Sequence, residues 1–330
     1  MARHSRWRPG IAAALAALGG FAAPAVDAQS WRPDKAVEIV VPTAAGGSND
    51  VIARVVQKIV QADKLAAVPV NVVNRTGGNH TIGRAYLNQH PGDAHYLHVD
   101  SPTLISNHLS GITPQHHGDF TPIALLVSEY TVLTVRSDSP IRSLRDMVEQ
   151  MKKDPESIGV GVSNRGGTNH LALSLVAKSA GVDPRKLKVV VFKSNTESAT
   201  AVVGGHLQMS ASSMTSVLPH VTAGRARIIA VGALKRSTGE LANVPTFREQ
   251  GYDVALANWR ALSGPRGLSP AQVAYWEGAL AKVVETDEWK KALEAQYWDP
   301  TFMRSREFVK YLDDEYAVTK SVLTELGLAK

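Results

Sequence analysis

The chain has 330 residues, 44% of them hydrophobic and 20% charged, which leaves room for about two domains with their own cores and excludes a disordered or collagen-like chain. Its formal net charge of +6 is not gathered into a Lys/Arg block with interleaved aromatics, so no nucleic-acid footprint is present. The absence of cysteine excludes disulfides, a catalytic thiol and Cys-based zinc or iron–sulfur sites.

The longest apolar run, Ile11 to Val26, follows Arg3, Arg6 and Arg8 and closes on Val26-Asp27-Ala28. This is the pattern of a secretory signal peptide over residues 1–28, with cleavage after Ala28 and a mature N-terminus at Gln29. Losing three Arg and one Asp lowers the net charge from +6 to +4. No later run reaches the roughly 18 apolar residues of a membrane span. The expected mature protein is periplasmic, without a spanning segment.

Beyond the leader, short β-branched runs alternate with helical patterns. Strands are predicted at Val37 to Val41, Val70 to Val73, Leu97 to Val99, Thr131 to Val135, Lys188 to Phe192 and Arg227 to Val231. Ser139-Pro140 is expected to cap one helix, and Thr168 opens another that stops at Gly181. Ser194 to Glu197, Thr246 to Glu249 and Ser269 to Gln272 each read as a capping box. The alternation predicts parallel sheets covered by helices, and the end from Ser269 to Lys330 reads as nearly all helical.

Two strands run through glycine turns straight into helices, at Pro42 to Asp50 and at Ser163 to His170. Helix N-termini beyond the carboxyl ends of strands bind anions through unpaired N–H groups and about half a positive charge. Two such turns, far apart in sequence, predict two α/β domains facing one anion-binding cleft. The first turn has backbone donors and no catalytic group; it lacks the Gly-Lys-Ser/Thr ending of a phosphate loop and the dinucleotide fingerprint. A third loop, Asn74 to Gly83, combines glycines with small polar side chains. Its Arg75 can pair a carboxylate or brace the loop, and His80 can donate to a ligand or stand in solvent.

Other candidates carry less. His116 and His117 are adjacent and no His-Glu-x-x-His pattern occurs, so the histidines do not spell a metal site. Gly161 to Arg165 lacks the second glycine of a nucleophile elbow. Glu197 is explained by its capping box, and Trp259 can line a pocket or fill a core.

Taken in order, these landmarks resemble the periplasmic substrate-binding receptors of tripartite tricarboxylate transporters, the Bug family. They are Val41-Pro42 with Gly46-Gly47 and Asp50 to Arg54; Asn74-Arg75 with Gly77 and Ile82-Gly83; and Asp119 to Pro122. Then follow Gly166-Gly167-Thr168 with His170-Leu171, Gly204-Gly205, Val244 to Thr246 with Glu249 to Gly251, and Asn258-Trp259-Arg260. The resemblance covers essentially the whole mature chain.

What it implies is an α/β, two-lobed type II periplasmic-binding-protein fold with two crossing strands. Lobe 1 is expected over residues 29–130 and 255–330, and lobe 2 over 131–254, with crossings near Glu129 to Thr131 and near Asp253 to Ala257. The implied function is capture of a small carboxylate for delivery to a two-subunit membrane permease, by a monomer with no catalysis, cofactor or metal. The ligand is expected to meet Thr43, Ala44, Ala45, Gly46, Gly47, Ser48, Asn49 and Asp50; Arg75, Gly77, Gly78, Asn79 and His80; Thr103; Ser163, Asn164, Gly166, Gly167, Thr168 and His170; and Ser194. Departures from the family pattern at Asn49, Asn79, His80, Asn169, Ser194 to Thr196 and Gln208 bear on which acid is bound. A solute sensor for a signalling system and an exported hydrolase are the competing classes.

Overall fold

The computed structural model describes residues 1–2, 31–236 and 242–330; the expected leader and Gln29 fall outside them. β1 (Val37–Val41) leads into α1 (Ser48–Ala62), β2 (Val70–Asn74), α2 (Thr81–Leu87), β3 (Tyr96–Asp100) and α3 (Thr103–Leu109). Then comes the 17-residue strand β4 (Phe120–Arg136). It is followed by α4 (Leu144–Lys153), β5 (Val160–Val162), α5 (Thr168–Ser179), β6 (Val189–Val191), α6 (Asn195–Val203), β7 (Met209–Ser213), α7 (Met214–Thr222) and β8 (Ala226–Val231). The chain ends with β9 (Ala257–Pro265), α8 (Pro270–Glu285), α9 (Asp287–Gln296), β10 (Asp299–Arg304) and α10 (Ser305–Glu325).

The strands run in the order β2-β1-β3-β9-β4-β7-β5-β6, with β10 and β8 also paired to β4. The expected parallel pairing holds at β2-β1-β3 and β6-β5-β7. Between them, β9 is antiparallel to β3 and β4, and β4 is antiparallel to β7, β8 and β10. The sheet is therefore mixed, because β4 and β9 run against the strands they join. This is the α/β architecture of a type II periplasmic binding protein.

Each end of β4 has its own core. Before Tyr130, α1 lays Ile52, Val56 and Ile59 on β1 and β3, and the returning C-terminal helices add Trp276 and Trp289. The indole of Trp276 donates to the Ala94 carbonyl at 2.9 Å. Beyond Thr131, Leu144, Met147 and Met151 of α4 and Leu173 and Val176 of α5 pack around Val160, Val162 and Leu133 with Phe247. The face of α10 carrying Phe308, Leu312 and Leu323 closes on Trp259.

Several boundaries differ from expectation. α4 begins four residues after Pro140, and its N-cap Ser143 accepts from the Asp146 N–H at 3.1 Å; Ser139 closes only a local turn onto Ile141. Thr246 and Glu249 exchange both bonds of a capping box, at 2.8 and 3.1 Å, yet close a turn and no helix. Ser194 does accept from Glu197 N–H at 3.1 Å, but the Glu197 carboxylate turns to the Lys193 N–H, at 3.0 Å. The Ser269–Gln272 box is complete. The helical end is interrupted by β10, where Tyr297 in the left-handed region (φ 54°) stops α9 and an edge strand pairs with β4. Pro300 is tolerated there because an edge strand has one side unpaired.

β7 and β9 were not among the predicted strands, and β5 was expected only as the strand, without bounds, that runs into the second glycine turn. On β5, Gly161 is packed against α6 and the turn that follows it: a Cβ there would stand 2.2 Å from Ser198 Oγ and 2.7 Å from Leu207 Cδ2. Gly161→Ala should therefore cost about 1–3 kcal/mol by overpacking. A urea-denaturation midpoint unchanged from wild type would contradict this packing.

Candidate functional site

A cavity of about 490 Å³ opens between the loops of the two halves. Of the residues singled out from sequence, Thr43, Ala44, Gly47, Ser48, Asn49, Gly77, Gly78, Asn79, His80 and Thr103 line it from one side; Ser163, Asn164, Gly167, Thr168 and Ser194 line it from the other. Ala45, Gly46, Asp50, Arg75, Gly166 and His170 are outside the lining, with Ala45, Gly46 and Arg75 exposed to solvent and Asp50, Gly166 and His170 buried.

The two glycine turns are built alike. Gly46 (φ +80°) and Gly166 (φ +83°) adopt the left-handed conformation that glycine accepts at no steric cost. Each is followed by an extended glycine N-cap, Gly47 or Gly167, and then by the first turn of α1 or α5. Four residues on, a side chain reaches back: Asp50 accepts the Gly46 N–H, and His170 Nδ1 accepts the Gly166 N–H, both at 2.9 Å. These side chains are braces rather than cavity groups. Asp50 is further gripped by Arg54 Nε (2.8 Å) and by Asn74, whose amide also donates to the Thr43 carbonyl at 2.9 Å. Burial would raise the Asp50 carboxyl, but the bonds from Arg54, Gly46 and Asn74 hold it below the usual range. Burial, with Arg165 nearby, pushes His170 down to about 4, so its imidazole is neutral.

No side chain caps α1 or α5, nor α2, α3, α7 or α10, whereas α4, α6, α8 and α9 are capped. Among the described residues, the N–H groups of Ser48, Asn49, Thr168 and Asn169 have no acceptor. They belong to the unpaired donors that every helix N-terminus leaves.

The third loop is strained. Gly77, Gly78, Asn79 and His80 all have positive φ, at 116°, 55°, 50° and 76°. For the two non-glycine residues this costs about 1–2 kcal/mol each. The loop is held by Asn107, which donates to the Asn79 carbonyl at 2.5 Å, and by Thr103 Oγ1, 2.8 Å from His80 Nδ1. Thr103 in turn accepts from Arg84 Nη2 at 3.1 Å. Arg84 is fully buried beside Asp100, which His98 also contacts at 3.0 Å. Burial, Arg84 and His98 push the His80 pKa well below its ordinary value, leaving a neutral ring at the cavity wall. Arg75 lies behind the loop, 4.3 Å above the Tyr86 ring.

Sequence reasoning missed the floor. On β9, period-two alternation sends Trp259 into the core against Phe308 and turns Asn258 and Arg260 to the cavity. Arg260 is paired with the fully buried Glu129 on β4 and donates to Asn258 Oδ1 at 2.8 Å. Burial raises the Glu129 carboxyl, against the pull of Arg260. Ser48 contacts both Glu129 (3.4 Å) and Ser213 (2.8 Å), tying the start of α1 to β4 and β7. Lys193, Asn195 and Ser216 complete the far wall. Strand alternation around Trp259 was the available signal for Asn258 and Arg260.

Three of the asparagine side chains at the cavity share a polarity; Asn49 and Asn164 do not, since their Oδ1 atoms have no partner among the described residues and Asn164 Nδ2 donates to Asn107 Oδ1 at 3.3 Å. Asn169 Oδ1 accepts from Thr131 (2.8 Å), Asn195 Oδ1 from Asn169 (3.4 Å) and Asn258 Oδ1 from Arg260. Three carbonyl ends are thus used internally, while each amino group keeps N–H capacity. No Asp or Glu lines the cavity. Among the described residues no His/Cys/Asp/Glu group fits a metal ion.

The family model for tripartite tricarboxylate transporter family receptors matches residues 52–328. The chain belongs to this family. It is 28% identical over 329 residues to the UPF0065 protein in the gbd 5′ region of Cupriavidus necator, covering 99% of this chain and 98% of that one. It is 26% identical to protein BugT of Bordetella pertussis, covering 94% of each. Among solved structures, an R. palustris protein with adipate superposes with a TM-score of 0.82 at 24% identity, covering 90% of this chain and 99% of that one. MatC from Rhodopseudomonas palustris with bound malate superposes at 0.78 with 21% identity, covering 88% and 99%. The receptor serves a membrane transporter and is not an enzyme.

His170 gives the receptor a specific acid sensitivity. Its folded pKa of about 4 lies below the ordinary 6.5, so as pH falls from 6.5 towards 4 the unfolded chain takes up a proton that the folded chain refuses. Stability is lost across that window, by about 2–3 kcal/mol at pH 4.5. His170→Gln retains an acceptor for the Gly166 N–H but does not titrate. Urea midpoints at pH 7.5 and 4.5 should fall less in the variant; equal losses would contradict a neutral His170.

Proposed function

We propose that this receptor works in the periplasm, captures a small organic carboxylate in the cavity and hands it to a two-subunit permease. The observation that carries this reading is the pair of uncapped helix N-termini, α1 and α5, meeting at a cavity with no carboxylate in its wall. Carboxylate oxygens accept charge-assisted hydrogen bonds from N–H groups, which are roughly twice as strong as neutral ones. The carbonyl ends of Asn169, Asn195 and Asn258 are already spent within the protein, which leaves N–H capacity on their amino groups for a ligand. The relatives with adipate and malate are acids of this class.

In this reading residues 29–130 and 255–330 form one lobe and 131–254 the other. They hinge where β4 passes Tyr130 and where the chain enters β9. A ligand touching both helix N-termini has more contacts in the closed state and therefore favours it. Small-angle scattering should show compaction on saturation with a bound acid, and an unchanged profile would argue for a rigid site.

A thermal-shift screen of carboxylates, amines and neutral sugars tests the ligand class. Stabilisation should come from carboxylates; stabilisation by sugars or amines alone would sink the proposal. A Cβ on Gly47 would meet only ordinary contacts at 3.6 and 3.7 Å. Gly47→Leu should accordingly fold, with a melting temperature near wild type, and lose the carboxylate response because its side chain fills the approach to α1.

A further inference from the structure

The charges at the cavity wall do not contribute equally. Arg260 is cancelled by the buried carboxylate of Glu129 directly behind it. His80 is neutral for the reasons given above. Arg165, on the glycine turn beside the cavity, is parked on the Val189 carbonyl at 3.1 Å and does not line the wall. That leaves Lys193, which follows β6 at the start of the α6 turn and lines the cavity from the exposed edge of the second half. Its backbone N–H is held by Glu197. Its ammonium has no hydrogen-bond or ion-pair partner among the described residues, and Glu197 is outside the lining.

We infer that Lys193 is a specificity-determining residue that reads a second, distal carboxylate, so that the receptor selects diacids over monoacids of the same length. This rests on the carboxylate reading above. The two helix N-termini contribute about half a positive charge each, which matches one carboxylate. The ammonium of Lys193 matches one more. A monoacid leaves Lys193 unpaired when the cleft closes, and a third carboxylate finds no free cation. The position suits this role because Lys193 and the helix N-termini of α1 and α5 stand on separate elements around one 490 Å³ cavity. That space is larger than one carboxylate needs, so a second group can be read at a distance from the first.

The test is calorimetric titration of the mature protein with length-matched pairs, glutarate against valerate and adipate against hexanoate, on wild type, Lys193→Met and Lys193→Arg. Lys193 is an exposed residue after an edge strand, and both variants should melt with wild type. Wild type should prefer the diacid of each pair about tenfold, the worth of one charge-assisted hydrogen bond. Lys193→Met should erase that preference by weakening the diacid about tenfold while moving the monoacid less than twofold. Lys193→Arg should restore it, and raised salt should narrow the gap only where a cation is present. Equal weakening of both acids, or an undiminished diacid preference in Lys193→Met, would overturn the role of Lys193 and leave the carboxylate reading intact. Binding of sugars with no response to any of the four acids would overturn both.

Discussion

The pairing of one strand holds the molecule together. β4 contributes residues 120–130 to a sheet with β9 and β10, and residues 131–136 to a sheet with β7 and β8. Each half has its own apolar core, so β4 and the entry to β9 are where the halves share backbone. At that crossing lies the buried pair of Glu129 and Arg260, joined by Ser48 from the start of α1 and by Asn258 from β9. Removing one partner of such a pair strands a charge away from water, at a cost of about 3–5 kcal/mol. The waist is therefore the least substitutable place in the cleft, and it sets the floor against which both glycine turns are registered.

Around that floor the cavity keeps formal charge out of direct reach. Arg84 with Asp100, Asp50 with Arg54 and Glu129 with Arg260 are each neutralised within the protein. Apart from the Lys193 ammonium at its exposed edge, what remains at the surface of the cavity is neutral: backbone N–H groups, asparagine side chains and hydroxyls.

The strain in the third loop has a similar logic. Four successive residues in the left-handed region persist because Thr103, Asn107 and the buried Arg84 overdetermine their positions. Asparagine and histidine are among the side chains that best tolerate that conformation, and here they bring an amide and a neutral imidazole to the cavity. Holding Asn79 and His80 in that conformation costs about 1–2 kcal/mol each.

Residue order alone determined the mixed strand and helix content, the two glycine turns and the family. Each of those signals is local: a β-branched run, a Gly-Gly before a Ser or Thr, a capping pair. It also placed fifteen of the marked residues on one cavity. Tertiary structure decided what local signals cannot carry. β7 and β9 are strands through their neighbours rather than their composition, and Ser198 and Leu207 leave room only for glycine at position 161 of β5. Asp50 and His170 sit in motifs that look like binding loops, yet their side chains fold back onto Gly46 and Gly166. Arg260 and Lys193 carry the same formal charge in the sequence. Only the fold sets Glu129 behind the first and nothing behind the second, because the cancelling carboxylate lies 131 positions from Arg260 along the chain and is brought to it by pairing of β4 with β9.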